Sequence, residues 1–334
     1  SQAKYRVGSV SSRQNALPTS VAAPVPPNTG YIMGGGAPSG VTSIVDKLTF
    51  TTETTARIPG ANLPAVRRDV GSIGGISAAY VAGGDPSPYK SNILKVTYSS
   101  DTSAALPSSA DLSASRYRIG SVGNSDAGYF GGGRSPANAY FSNVDKLTFS
   151  ADTTARIPGA NFAVGRRESA GAGNATHGYF AGGSGGPGTQ STFEKLTYAS
   201  DTTAALPGSK LSAVTYKLSA TGNSTHGYFA GGNSPNGSTI TSKVDKTTYA
   251  SDTTARVPGA DLLTAAIQIN ATGNSGVGYF CGGSTPDAIA STQKISYSSD
   301  TTAAVPSANL SAARYAGGAG SGRDNGINIS PNII

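Results

Sequence analysis

The stretch Gly178-Tyr179-Phe180-Ala181-Gly182-Gly183 decides the fold, because it recurs along the whole chain. Its tyrosine falls at Tyr31, Tyr80, Tyr129, Tyr179, Tyr228 and Tyr279, at spacings of 49, 49, 50, 49 and 51 residues. A fixed period of this length is the mark of stacked structural units. Each copy is followed by a variable stretch. A Lys-x-Thr/Ser-aromatic strand comes next, beginning at Lys47, Lys95, Lys146, Lys195, Lys246 and Lys294. An Asp-Thr-Thr/Ser turn follows at Asp101, Asp152, Asp201, Asp252 and Asp300, with Glu53 in the first copy. A short strand then ends in proline, at Pro59, Pro107, Pro158, Pro207, Pro258 and Pro306. Last is a Gly-Ala-Asn-Leu-like crossover into a small-residue strand such as residues 169–174.

Each unit therefore holds four short strands, the content of one propeller blade. In the fourth unit these are a (169–174), b (178–183), c (195–198) and d (203–206). Strand b places Tyr179 and Phe180 on opposite faces, as blades stacked face to face require. The double glycine suits a crowded region near the axis. Proline at the end of d suits an outer edge strand. The expected fold is all-β: a six-bladed β-propeller of four-stranded blades over residues 1–321. A proline-rich insert spans 17–27, and a tail covers 322–334.

A longer period overlies the first. Units 1, 3 and 5 carry Arg57, Arg156 and Arg256 where units 2, 4 and 6 carry Ala105, Ala205 and Ala304. The crossovers alternate less completely: they hold Arg67-Arg68 and Arg166-Arg167, each followed by an acid (Asp69, Glu168), but Ala265-Ala266 after unit 5, and Tyr117, Tyr216 and Tyr315 after the even units. This predicts a pseudo-three-fold alternation of blade pairs. Strand a occurs seven times, counting residues 4–10 and 314–318, but b, c and d occur six times. One terminal copy closes the first blade and the other is spare.

Composition agrees with repeated short strands. Of 334 residues, 45 are Gly and 19 are Pro, and only 13% are charged, against about 25% in typical domains. The net charge of +7 is scattered rather than clustered, so no nucleic-acid surface is expected. No apolar run approaches ~18 residues and no secretory leader pattern opens the chain, so no membrane insertion is expected. One cysteine, Cys281, excludes an intrachain disulfide.

No constellation reads as catalytic, metal-binding or cofactor-binding. His177 and His226 share one repeat position, before Gly-Tyr-Phe, and read as structural. Cys281 replaces Ala in strand b and reads as a small core residue. The Asp turns offer one acid each, too few for calcium, so each Asp is expected to bond its own turn backbone. The repeated lysines are expected to be solvated. Arg57, Arg156 and Arg256 either pair at the blade edge or form a three-fold set of partner contacts. Up-and-down strands put b–c loops and crossovers on one face. The b–c loops vary, so Tyr89, Lys90, Arg134, Asn138, Tyr140, Phe141 and Asn236 are the expected binding residues.

The double glycine, the charged-aromatic strand and the turn with its proline resemble the kelch repeat over nearly all of the chain. The fourth-strand tryptophan usual in kelch blades is absent, since the chain has none. Copper-radical oxidases on kelch propellers need His, Tyr and Cys ligands, a pattern the isolated His and Cys here do not assemble. The full motif string is also similar to repeats in tail-fibre and other structural proteins of tailed phages, especially those of marine cyanobacteria. That resemblance implies a non-enzymatic virion component, a tail fibre or similar host-contact part. Its partners would be other virion proteins, copies of itself, or a host-surface glycan or protein. A secreted or cell-surface glycan-binding propeller is the alternative. A propeller enzyme would need a metal or an acid–base cluster in its central channel.

Overall fold

The computed structural model describes residues 28–322. They form an all-β, propeller-like fold. Six four-stranded antiparallel sheets are present, each ordered a-b-c-d, with one small three-stranded sheet beside them. Sheet 2 shows the plan: a Gly71–Gly74, b Ala78–Ala82, c Ile93–Thr97, d Thr102–Ala105. In sheet 4 the same places are Ala170–Gly173, His177–Ala181, Thr192–Thr197 and Thr202–Lys210. Strand c thus starts three residues before the expected Lys195, and d runs on through Pro207. The small sheet joins Arg166–Arg167, Ser184–Gly185 and Gly188–Thr189.

Sheet 1 is assembled from both ends of the described chain. Its strands b, c and d are Thr29–Ala37, Gly40–Thr49 and Thr54–Arg57. Its strand a is Gly318–Ser321, paired antiparallel with Gly30–Met33. The C-terminal copy is therefore the one that completes this sheet. The other copy (residues 4–10), the 17–27 insert and the tail beyond residue 322 lie outside the described residues.

The alternation within strand b does what its pattern predicts. Tyr179 packs with Phe229 and Tyr249 of sheet 5, while Phe180 packs with Val122 and Tyr129 of sheet 3. Burying such a side chain contributes about 1.5–3 kcal/mol. Each strand-b tyrosine also stacks on the aromatic ending strand c of the next sheet, with ring centroids 4.8–5.3 Å apart. The sixth stack, Tyr279 on Phe50, runs from sheet 6 to sheet 1.

The double glycine has a reason other than crowding at the axis. Gly182 and Gly183 have φ of +66° and +95°, and the other five pairs match them. Only glycine adopts two such residues in succession without strain. The bend lets the Gly183 N–H donate to the Thr215 carbonyl at 2.9 Å, tying strand b to the crossover that leaves its own sheet. The same bond recurs at Gly35, Gly84, Gly133, Gly232 and Gly283.

Candidate functional site: the loop face and the axial mouth

Crossovers bond to the b–c loop of the sheet they enter, as in Arg68 with Asp85, Tyr117 with Arg134 and Tyr216 with Asn233, or to the end of strand b, as in Tyr315 with Gly36. Loops and crossovers therefore share one face. The crossovers align as residue triplets, and each place in the triplet has its own task.

The first place points inward: Arg67, Arg116, Arg166, Thr215, Ala266 and Arg314. All four arginines are buried. Arg116 reaches Asp145 at 2.6 Å, Arg166 reaches Glu194 at 2.9 Å, and Arg314 reaches Asp46 at 2.9 Å. Arg67 instead donates to the Gly83 carbonyl and the Asn92 side chain, with Asp111 near enough to favour its charge. Buried guanidinium groups persist only where such partners are built in.

The second place joins the loop residues; Tyr117 is buried there, and Arg68, Arg167, Tyr216, Ile267 and Tyr315 are half-buried. Tyr117 stacks on Tyr89 with centroids 4.3 Å apart. Arg134, bridged to Tyr117, lies over the Tyr140 ring at 5.8 Å, and Arg167 lies over the same ring at 6.0 Å. Among the expected contact residues, Tyr89, Arg134 and Tyr140 thus come together with Tyr117 and Arg167. Phe141 instead packs beneath the Arg116 guanidinium, and Lys90 is held through its backbone to Gly84 and Arg116. Asn138 and Asn236 are exposed at separate loop tips.

The third place surrounds the axis: Asp69, Arg118, Glu168, Lys217, Gln268 and Ala316. All six have φ between +52° and +60°. Their backbones form a cycle: each N–H donates to the carbonyl of the preceding one, and Asp69 donates to Ala316. The distances run from 2.5 to 3.2 Å. Above this ring, Arg118 Nε lies 3.3 Å from both Asp69 and Glu168, and Gln268 donates to Asp69 at 2.9 Å. Arg167 Nε lies 3.7 Å from Glu168. Glu168 is 7% exposed, and neither of its oxygens accepts a hydrogen bond. Burial pushes its carboxyl up to about 7, even with Arg118 opposing. Beside the ring lies an open cavity of about 140 Å³, lined by the ring residues and by strand-a residues such as Ser72, Ser121, Gly171, Ala220, Ala271 and Ala319.

The remaining expectations divide. The turn acids do not bond their own turns: each accepts from Lys and Tyr of the preceding sheet. Tyr179 donates to Asp252 at 2.6 Å and Lys195 reaches it at 2.8 Å. The lysines are consequently not free in solvent; six such ion pairs measure 2.6–2.8 Å, the last from Lys294 to Glu53. The acids sit at φ near +50°, which turns their carboxylates toward the neighbouring sheet. Arg256 pairs with Asp261, whereas Arg57 and Arg156 are exposed on strand d.

His177 and His226 open strand b, each with Nδ1 2.8 Å from the preceding threonine hydroxyl. Cys281 is buried, its thiol pushed up to about 12 by desolvation. Among the described residues, no three His, Cys, Asp or Glu gather as metal ligands.

The buried arginine pairs and the axial ring escaped the motif reading. Both become visible when the crossovers are aligned as triplets against strand c, where Asp46, Asp145 and Glu194 face the arginine places. Comparison with models of known protein families and with curated proteins finds no match to this chain.

Proposed function

We propose that the chain is a closed six-bladed propeller of kelch-like blades in alternating pairs, and that it acts by contact rather than catalysis. Its role is that of a phage virion component, a tail fibre or similar host-contact part. The observation carrying this reading is the sorting of the surface. The variable loops and crossovers gather on one face, where half-buried Tyr89, Arg134, Tyr140 and Arg167 are linked by ring and cation–ring contacts over the buried Tyr117. On the opposite face four of the six sheets repeat one turn, in which Asn124, Asn174, Asn223 and Asn274 each accept from the backbone of their own a–b turn. A rigid scaffold with diverse loops on one side is the usual arrangement for recognition, and Tyr and Arg are favoured contact residues.

Six blades and closure are supported by the count of four-stranded sheets and by contacts that return from sheet 6 to sheet 1. The partners would be other virion proteins, further copies of this chain, or a glycan or protein on the host surface. Mass spectrometry and imaging of purified native particles test the reading. The chain should be present in several copies with its loop face outward; absence from the particles would overturn it.

A further inference from the structure

We propose that sheet 5 holds a slot for a guanidinium group, the arginine side chain of a partner. The inference does not depend on the virion reading. In sheets 1, 3 and 4 the crossover that enters the sheet buries an arginine against an acid of strand c: Arg314 with Asp46, Arg116 with Asp145, Arg166 with Glu194. In the crossover entering sheet 5, Thr215 takes the arginine's place, yet strand c (Val244–Thr248) keeps its acid, Asp245. Sheet 6 lacks both groups. There Ala266 stands for the arginine and Gln293 for the acid, and the Gln293 side chain accepts from the Leu263 N–H at 2.7 Å and donates to the Thr264 carbonyl at 3.2 Å. Among the described sheets, only sheet 5 carries the acid without the arginine.

Asp245 is 6% exposed. Its Oδ2 accepts from the Ser212 N–H and hydroxyl, both at 3.1 Å, and its Oδ1 accepts no hydrogen bond. Two cations act on it from a distance, Arg256 and Lys243. Neither pairs with it: Arg256 is held by Asp261, and Lys243 is exposed. Burial raises the carboxyl above its ordinary value, against Ser212 and these two cations.

Asp245 lines a cleft with Ser212, Thr215, Phe229 and Lys243. In sheet 3 the Arg116 guanidinium donates to the Phe130 and Asn143 carbonyls as well as to Asp145. Phe229 and Lys243 are the corresponding residues. Phe229 opposes Asp245 in the strand register as Phe130 opposes Asp145, and the Lys243 carbonyl accepts from Gly231 as the Asn143 carbonyl accepts from Gly132. The cleft thus presents a carboxylate and two carbonyls in the order that holds a guanidinium elsewhere in this chain. It is narrow, leaving about 10 Å³ for the centre of a water molecule. A planar, weakly hydrated guanidinium enters such a slot edge-on, whereas an ammonium is compact and strongly hydrated.

The test is an NMR titration of the isotope-labelled full chain with three matched probes: the N-acetyl amides of arginine, of citrulline, which has the same shape without the charge, and of lysine. The arginine probe should shift the Ser212 and Thr215 amide signals to saturation. The citrulline and lysine probes should bind at least about tenfold more weakly, a difference of about 1.4 kcal/mol. Asp245→Asn should weaken arginine binding by about tenfold or more. Thr215→Arg should abolish it by filling the slot from within, with circular dichroism confirming the fold of both variants. Asn138→Ala, on a loop tip of sheet 3, should not change it. No binding of the arginine probe, equal binding of the citrulline or lysine probe, or affinity unmoved by Asp245→Asn would each overturn the proposal. Particle composition is a separate readout, so failure here leaves the contact reading to its own test.

Discussion

Arg116 and Asp145 lie 2.6 Å apart with no solvent exposure of either side chain, and two further pairs repeat the arrangement. Such a pair adds little over a well-packed apolar substitute, yet breaking it strands a charge. Arg116→Met should therefore destabilise the protein by about 3–5 kcal/mol in urea unfolding, at the lower end because Ser113 also donates to Asp145. Arg116→Met with Asp145→Leu should recover most of that loss. Asp245 is the informative contrast: it is buried with Ser212 as its donor, and Thr215 stands where other crossovers place arginine.

Glu168 gives a second prediction at this scale. Arg118, Asp69, Lys217, Arg134 and Arg167 face it, and burial outweighs the cations. A carboxyl raised from 4.5 to about 7 keeps its proton in the folded protein after the unfolded chain has lost it. Stability attributable to Glu168 thus falls as pH rises through that window. Glu168→Gln should remove the decline, gaining about 2–3 kcal/mol over the parent at pH 8 and little at pH 4; equal effects at both would contradict this account. Both features were within reach of the sequence. The arginine and acid places repeat in register, but their pairing depends on which way each side chain turns, and motif spacing does not encode that.

Between elements, the repeated unit of cohesion is a clasp of Tyr on strand b, Lys opposite it on strand c, and the turn acid of the next sheet. Tyr179 and Lys195 are directly opposed in the strand register, which brings both to Asp252. The Lys–Asp pair is partly exposed and contributes on the order of 1 kcal/mol or less. The tyrosine hydroxyl donating to a carboxylate contributes about 1.5–3 kcal/mol. In Glu53, Asp252 and Asp300, burial raises the carboxyl, but hydrogen bonds from Lys and Tyr outweigh it and hold it below its ordinary value. This contribution is present above the unfolded value near 4 and is lost as pH falls through the lower folded value. Asp252→Asn tolerates the positive φ but loses the charge. It should cost about 1–2 kcal/mol at pH 7, and less as the pH drops below 4 in acid titrations followed by circular dichroism. The strands and turns of the clasp were legible from their period. The clasp itself was not, because Lys195 and Asp252 stand 57 residues apart and belong to different repeats. Solvated lysines and self-bonded turns are what a single repeat, read alone, would show.

For the whole molecule, the governing contact is the strand that sheet 1 takes from the C-terminal end. Gly318–Ser321 supplies the partner for Gly30–Met33, and Ala316 both gives and receives a bond in the axial cycle. Each of the other five four-stranded sheets draws its strands from one continuous segment. Ending the chain at Tyr315 therefore leaves five sheets intact in sequence, but it opens the backbone cycle and exposes the inner edge of strand Thr29–Ala37. An unpaired edge of this kind is a template for pairing with another chain. The truncated protein should lose its single cooperative melting transition and form dimers or larger species on size exclusion. Because residues 4–10 carry the same strand pattern, the deletion is best made in a chain that also lacks residues 1–27, so that no second copy competes for the vacated place. If that doubly shortened chain stays monomeric with an unchanged melt, closure by the C-terminal strand does not hold the fold together. If the edge associates as expected, the sheets behave as one ring whose stability rests on a contact between residues 282 positions apart, such as Arg314 and the Ile32 carbonyl.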